Sequence, residues 1–198
     1  RTAEFCDALR AAGHESEVQR RTGLLLDPYF SGTKMRWLLD NSGEVSAAAR
    51  AGTLALGTVE SWLVWKLTGG SHVSDASNAS RTLLLALDGA QFDPGLCELF
   101  GVPRAALPEV VDCAGEFGTT APGLFDAPLA IRGLAGDQQA IGQRRGQGVQ
   151  GFGGSGGRRV RRAGRHRMNS GDVTALRHFH HITLTIHPHG IDSRLAAG

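Results

Sequence analysis

The stretch LAIRGLAGDQQ, residues 129–139, decides the fold class. Its apolar run Leu129–Leu134 predicts a buried strand, and Gly136 with Asp137 predicts a turn into a new helix that runs toward Gln143. A carboxylate that follows a strand in this way lies at a sheet edge, where α/β proteins commonly bind ligands. Asp137 is therefore a candidate general base for a hydroxyl proton. The plainer alternative is that Asp137 only caps the helix.

The residues before this stretch complete a mixed α/β order over residues 1–143. Ser31 or Thr33 is available to cap one of the helices. The run Arg81–Leu87 fits either a strand or a helix. The apolar spacing predicts helices over Arg1–Arg20 (ending before Thr22), Lys34–Asn41, Val45–Leu56, Thr58–Leu67 and Phe92–Phe100.

Charge divides the chain near Gln143. Residues 1–143 carry 17 acidic and 11 basic residues, whereas residues 144–198 carry 10 arginines, two aspartates and six of the eight histidines. The second part opens with the low-complexity Gly151–Gly157 and an arginine run, which cannot build a core, so disorder is expected there. Only His180–Ile186 is compatible with a strand.

Several classes of protein are excluded by composition. No apolar run approaches the roughly 20 residues of a membrane-spanning helix, and the first ten residues lack the apolar stretch of a signal peptide. Cys6, Cys97 and Cys113 are odd in number and lack metal or redox spacing. A reduced, cytoplasmic setting is expected.

Three local patterns carry alternatives. Glu116–Thr120 (EFGTT) resembles an acidic phosphate loop, but no hydrophobic strand precedes it, so a turn is favoured. The tail histidines lack a carboxylate or cysteine partner, so no metal ligands are assigned. The arginine-rich tail is compatible with electrostatic nucleic-acid binding, but it lacks the interleaved aromatic residues of single-strand binders.

Two polar strings remain. Tyr29–Lys34 (YFSGTK) brings aromatic, hydroxyl and ammonium groups together, as a polyol site would, although a capped helix explains them equally well. Asn78–Thr82 (NASRT) reads as a polar loop. The tryptophans Trp37, Trp62 and Trp65 are expected to lie in the core rather than to form a stacking platform.

These strings together resemble the FGGY carbohydrate kinase family. The stretch YFSGTKMRWLLDN, residues 29–41, matches the first signature of that family at every constrained position, and the order and intervals of the other strings agree over residues 1 to about 143. The strings that resemble the glycerol-phosphorylating members are Thr22-Gly23, Asp27–Lys34, Gly57–Leu63, Asn78–Thr82, Leu107–Val110 and Gly136–Gln139.

The resemblance implies part of an actin-like ATPase fold, with ribonuclease-H-like domains, and transfer of the γ-phosphoryl group of ATP to a terminal hydroxyl of glycerol. It implies that Asp137 is the general base, that Tyr29 contacts glycerol and that Gln138 hydrogen-bonds it. ATP and Mg²⁺ are implied as partners, together with a homo-oligomer at full length, and no membrane. No residue of this chain is assigned to the nucleotide or the metal, because the nucleotide loops of the family have no match here.

The departures predict a partial chain. The Asp-x-Gly-Thr-Thr loop and an Arg-Glu pair of the family are expected before Arg1, and its Tyr-Gly-Thr-Gly loop and second domain find no match after Gln143. We expect residues 1–143 to be a fragment of the first kinase domain, residues 144–198 to be a disordered or out-of-frame tail, and the chain alone to show no kinase turnover. A different sugar or polyol kinase, and a non-catalytic remnant with a nucleic-acid-binding tail, remain the alternatives.

Overall fold

The computed structural model describes residues 1–136 and the backbone of a strand at Leu184–Ile186. The single helix predicted over Arg1–Arg20 is wrong, because two helices occupy this region: α1 (Ala3–Ala11) and α2 (Glu15–Thr22). Gly13 separates them with a φ of 85° and donates its N–H to the Arg10 carbonyl at 3.0 Å. Glycine adopts this left-handed conformation at little cost, so the first helix ends here.

Helix α3 spans Ser31–Asn41, which confirms the predicted helix and begins it one turn earlier. The predicted caps are wrong. Ser31 and Thr33 lie buried inside the helix, its N-cap is Phe30, and the Thr33 hydroxyl donates to the Phe30 carbonyl at 2.9 Å. The Thr33 hydroxyl therefore bonds a backbone carbonyl at the start of the helix instead of capping its free N–H groups.

The continuous helix predicted over Val45–Leu56 is only half right. Helix α4 covers Gly43–Arg50, and the chain then forms strand β1 (Ala55–Gly57), which is buried along its whole length. Strand β1 pairs antiparallel with β4 (Leu184–Ile186). The strand predicted within His180–Ile186 is therefore confirmed over its last three residues.

Two helices agree closely with the sequence. Helix α5 (Val59–Thr68) ends at a left-handed Gly69, and helix α7 (Pro94–Phe100) begins at Asp93, whose carboxylate accepts the Leu96 N–H at 2.8 Å. An aspartate cap followed by proline in the first turn satisfies or removes the N–H groups that a helix start leaves free. These boundaries depend on neighbouring residues only.

A short parallel pair of strands leads to the site. Strand β2 (Val73–Asp75) pairs with β3 (Glu109–Val111), so that Asp75 lies opposite Val111. Helix α6 (Ala76–Ala79) follows β2 without a gap. Asp75 therefore stands at the carboxyl end of a parallel strand and at the start of a helix.

The run Arg81–Leu87 is neither a strand nor a helix. A 3₁₀ turn at Ser80–Thr82 is followed by Leu83 at a φ of 65°, and only Leu85 forms a bridge, to Phe92. Leu83 and Leu84 are fully buried. The leucines cross the core without joining a regular element.

The buried strand predicted over Leu129–Leu134 is also wrong. Residues 113–120 and 129–134 form the two arms of an irregular antiparallel pair, here called the hairpin, with isolated bridges between Ala114 and Gly133 and between Thr119 and Ala130. Leu129 is 51% exposed and Leu134 is buried. The apolar run is thus one arm of a surface hairpin.

The described part contains one large apolar cluster and one small one. Trp37 packs against the large cluster as predicted, whereas Trp62 and Trp65 are half-buried and contribute to neither cluster. The small cluster joins Val64 of α5 to Phe117 and Leu134 of the hairpin. The fully buried side chains of the large cluster include Val18, Leu26, Met35, Val45, Leu56, Leu83, Leu84, Leu96 and Phe100.

Several predictions lie outside the described residues. They are the helix from Gly136 toward Gln143, the domain boundary near Gln143 and the disorder of the tail, with β4 as the described exception.

Candidate active site

Asp75 is the centre of a buried polar cluster. It is fully buried, and its carboxylate caps α6 by accepting the backbone N–H groups of Ser77 (3.0 Å) and Asn78 (3.2 Å). The side chains of the same two residues also donate to it, the Ser77 hydroxyl at 2.5 Å and the Asn78 amide at 2.7 Å. A strand end that turns directly into a helix brings these donors onto one carboxylate.

The thiol of Cys113 completes this cluster from the hairpin. Its Sγ donates to an Asp75 carboxylate oxygen at 3.1 Å. Burial opposes ionisation of Asp75, but the hydrogen bonds from Ser77, Asn78 and Cys113 outweigh it and hold the pKa of Asp75 below its usual value. Burial, together with the hydrogen bond to Asp75 and its negative charge, raises the pKa of Cys113 to about 11. Cys113 is therefore a neutral hydrogen-bond donor at physiological pH and a poor nucleophile.

Glu60 contributes a second carboxyl group beside Asp75. One oxygen accepts the Ser74 hydroxyl at 2.9 Å and the other accepts the Asp75 N–H at 3.3 Å. Burial raises the pKa of Glu60 to about 7; the Ser74 hydrogen bond opposes this shift, and the Asp75 charge adds to it. The pKa values of these two neighbouring carboxyl groups are thus shifted in opposite directions, that of Asp75 downward and that of Glu60 upward.

The backbone next to Asp137 is attached to this cluster. The N–H of the buried Gly136 donates to the Ser77 hydroxyl oxygen at 2.8 Å, and the Leu134 N–H donates to the Cys113 carbonyl at 2.9 Å. Asp137 and Gln138 themselves lie outside the described residues. The structure therefore shows how the backbone just before these two residues is hydrogen-bonded to the Asp75 cluster.

Tyr29 lies in the turn that precedes α3. Its N–H donates to the Asp27 carboxylate at 2.7 Å, and its carbonyl accepts the Lys34 ammonium at 2.8 Å. The ring meets Phe30 edge-on at 5.2 Å between centroids, and the residue is 51% exposed. Tyr29 therefore presents an aromatic face and a phenol at the surface.

The two polar strings identified in the sequence are in contact. A Cβ atom on Gly32 would lie 2.3 Å from the Thr82 carbonyl oxygen, so only glycine permits this approach of α3 to the 3₁₀ turn. The Arg81 guanidinium lies 5.8 Å from the centroid of the Phe30 ring. Residues 75–82 therefore connect the Tyr29 turn on one side with Gly136 on the other.

The sequence did not single out Asp75 or Ser77. The available signal was an aspartate followed after one residue by Ser77 and Asn78, which is a helix-cap pattern. The contact of Ser77 with Gly136 spans 59 residues of sequence, and no local pattern predicts it.

Glu116–Thr120 has a different structure from the predicted turn. It is an arm of the hairpin, in which Phe117 donates its N–H to Ile131 at 3.0 Å and Glu116 pairs with Arg132 at 2.8 Å. The carboxylate is thus paired across the hairpin, and the arm leads into the opposite strand arm rather than into a helix whose N-terminus could hold phosphate.

Among residues 1–136, no group of three or more His, Cys, Asp or Glu side chains could hold a metal ion. Within the same part of the chain, no helix is long and apolar enough to cross a membrane. The three cysteines are all free thiols, two of them buried.

Comparison with known proteins identifies the class. The N-terminal domain of the FGGY family of carbohydrate kinases matches residues 1–141, and the chain therefore belongs to this family.

Among its relatives are the glycerol kinases of Methylobacterium nodulans (58% identical) and Rhodospirillum rubrum (57% identical), each matched over 72% of this chain. The crystal structure of Plasmodium falciparum glycerol kinase with ADP superposes with a TM-score of 0.66 at 32% identity, over 72% of this chain and 29% of that one. The predicted fold, part of an actin-like ATPase, is confirmed. The chain spans 29% of the Methylobacterium and 30% of the Rhodospirillum enzyme.

Proposed function

We propose that this chain supplies part of the polyol site of a kinase that transfers the γ-phosphoryl group of ATP to a terminal hydroxyl of glycerol. The observation that carries the proposal is the 58% identity to a glycerol kinase over 146 residues. The described geometry agrees with it, because residues 75–82 contact the segment that carries the half-exposed Tyr29 on one side and Gly136, the residue before Asp137, on the other.

In this proposal Asp137 accepts the proton of the attacking hydroxyl, Gln138 hydrogen-bonds glycerol, and Tyr29 contacts glycerol. Phosphoryl transfer depends chiefly on positioning and on stabilising charge, with a carboxylate placed to take the hydroxyl proton. A neutral polyol is held by hydrogen bonds, since a partner lacking the hydroxyl would leave buried polar groups unpaired. The fixed position of Gly136 supports the role of the residue that follows it.

ATP is the second substrate in this proposal, and Mg²⁺ would neutralise charge on its phosphates. The described residues do not fit either group: they contain no cluster suited to a metal ion, and Glu116 in the EFGTT arm is paired with Arg132. We therefore assign no residue of this chain to ATP or Mg²⁺, and no step is derived through them. The three free thiols support a cytoplasmic setting as part of the proposal.

A chimera tests the proposal. Residues 1–141 of this chain would replace the matching stretch of the Methylobacterium nodulans glycerol kinase, and formation of glycerol 3-phosphate would be measured with ATP and glycerol. We expect glycerol to be phosphorylated in preference to xylulose and gluconate. A folded chimera that phosphorylates another sugar better, or makes no product, would contradict the proposal.

The Asp137→Asn variant of the chimera tests the proposed base. Removing a general base typically costs about 10²–10⁴-fold in turnover, and we expect a loss in that range with the KM for ATP unchanged. Asn keeps the shape of the side chain but cannot take the proton. A loss smaller than about tenfold would argue that Asp137 only caps a helix, as the plainer interpretation of the sequence has it.

A further inference from the structure

Asp75 and Ser77, two residues apart, form one continuous line of hydrogen bonds with Gly136, 59 residues further along the chain. The Gly136 N–H donates to the Ser77 hydroxyl oxygen at 2.8 Å, and the same hydroxyl donates to an Asp75 carboxylate oxygen at 2.5 Å. The line therefore runs from the backbone beside Asp137 to a carboxylate that is fully buried at the end of β2.

The direction of each bond follows from the chemistry of the groups. A serine hydroxyl has one proton to donate, and an ionised carboxylate only accepts. The Ser77 hydroxyl therefore donates its proton to the Asp75 carboxylate and accepts the Gly136 N–H with a lone pair. The 2.5 Å separation lies in the range of charge-assisted O–H···O⁻ bonds, which are stronger than neutral ones. The hydroxyl is thus held in one orientation.

The Asp75 cluster is itself well supported. Asp75 is held by α6, to whose N–H groups it is bonded, and by the Cys113 thiol from the hairpin. A second bond, from the Leu134 N–H to the Cys113 carbonyl, fixes the chain two residues earlier. The backbone is thus hydrogen-bonded at both Leu134 and Gly136 to residues of the Asp75 cluster.

We propose that Ser77 is a positioning residue, which sets the place of the Asp137 carboxylate by fixing the Gly136 backbone. Consecutive Cα atoms are about 3.8 Å apart, so a displacement of the Gly136 backbone is passed on to the residue that follows it. The inference rests on the proposed function, in which Asp137 takes the glycerol proton. Misplacing a reacting group by about 1 Å can cost on the order of 10²-fold in rate.

A purely local role for Ser77 predicts something different. If its hydroxyl only supported the cap of α6, its loss would loosen residues 76–79 and leave turnover per folded molecule unchanged. The backbone N–H of Ser77 and both donors of Asn78 would still reach Asp75 without the hydroxyl. The cap would largely survive, whereas Gly136 would lose its acceptor.

The experiment uses the chimera described above and three variants. Ser77→Ala removes the hydroxyl, and Ser77→Thr restores one. Ser71→Ala removes a hydroxyl six residues earlier in the chain that takes no part in this line of bonds. Each is assayed for kcat, for the KM of ATP and of glycerol, and for hydrogen exchange resolved at the Gly136 amide.

We expect Ser77→Ala to lower kcat by about 10- to 100-fold with an unchanged KM for ATP, and to speed exchange at Gly136. Ser77→Thr should recover most of both properties, and Ser71→Ala should match the parent. The proposal is overturned if Ser77→Ala keeps kcat within about twofold of the parent, or if the Gly136 amide exchanges as slowly as before.

The outcomes separate this inference from the proposed function. An active parent whose turnover depends on Asp137 but not on Ser77 overturns the positioning role alone. A folded parent without any glycerol phosphorylation overturns the proposed function, and the positioning role with it.

Discussion

The helical body (residues 3–107) and the hairpin (residues 113–120 and 129–134) are held together by different forces. The body buries a large apolar cluster that includes Met35, Leu96 and Phe100. The hairpin buries only Phe117 and Leu134 against Val64, and its arms are joined by backbone hydrogen bonds and an exposed ion pair. The free energy gained by apolar burial is proportional to the buried area, so the body contributes most of the stability. Hydrogen bonds are directional, so those of the hairpin chiefly fix the positions of its backbone groups.

This difference bears on the site. The chain that leads to Asp137 leaves from the hairpin, but its last described residue is bonded to Ser77 of the body. Arg132 and Gly133 are exposed just before the buried Leu134, so little apolar surface packs along this arm. The hydrogen bond from the Gly136 N–H to Ser77 holds this end of the arm where the small apolar cluster contributes little packing.

The largest expected effect breaks the body. Phe100 is fully buried and lies edge-on to Phe5 at 5.8 Å between ring centroids. Phe100→Ala should reduce the free energy of unfolding by about 3–5 kcal/mol, because it removes a large apolar contact and leaves a cavity. Urea denaturation followed by circular dichroism measures this loss.

The matched control is Phe125, in the loop of residues 121–128 that connects the two hairpin arms. Phe125 is 51% exposed, and Phe125→Ala should change the free energy of unfolding by less than about 0.5 kcal/mol. Equal losses for the two variants would mean that the apolar burial of the body does not dominate stability.

An effect of intermediate size concerns Glu60, which lies beside Asp75, the residue of the body to which Cys113 of the hairpin is bonded. The pKa of Glu60 is raised from its ordinary 4.5 to about 7, chiefly by burial, so the folded state holds a proton that the unfolded state releases between these pH values. The stability contribution is complete below pH 4.5 and is lost as the pH rises toward 7, on the order of 1–3 kcal/mol. Glu60→Gln should flatten this decline in urea unfolding measured from pH 4.5 to 7.5.

Glu116→Gln is the control for that measurement, because the same change on an exposed side chain leaves the Glu60 slope in place. A pH profile of Glu60→Gln that superposes on that of the parent would show that Glu60 is not the group responsible.

The smallest effect concerns the hairpin surface. Glu116 and Arg132 are joined at 2.8 Å, but their side chains are 80% and 70% exposed. Solvent and salt screen such pairs, so Arg132→Ala should leave the urea midpoint of the whole chain essentially unchanged. A clear shift in the midpoint would show that the hairpin depends on this pair more than exposure suggests, and would weaken the contrast between the two regions.

Local chemistry made several elements predictable. Asp93, Pro94 and the glycine after Phe100 set the bounds of α7, and the glycine after Thr68 ends α5, because caps and left-handed positions involve residues only a few places apart. The same reasoning failed for Leu129–Leu134. An apolar run shows that a segment can be buried, but only its neighbours in space determine whether it is.

The candidate site divides in the same way. Tyr29 lies in the turn before α3, and its contact with glycerol remains a prediction. The roles of Asp137 and Gln138, which lie beyond the described residues, also remain predictions. Asp75 and Ser77 were overlooked, because each resembles an ordinary helix cap in sequence.

By itself the sequence determined the family, the α/β class, the ends of α5 and α7 and the polar strings around Tyr29 and Asn78, since these depend on residue identity and short spacing. Only the tertiary structure decided that Gly136 is bonded to Ser77 and that Gly32 meets Thr82. It also decided that the pKa values of two neighbouring carboxyl groups, Asp75 and Glu60, shift in opposite directions. The physical reason is that hydrogen bonds and burial act over a few ångströms of space, whatever the distance along the chain.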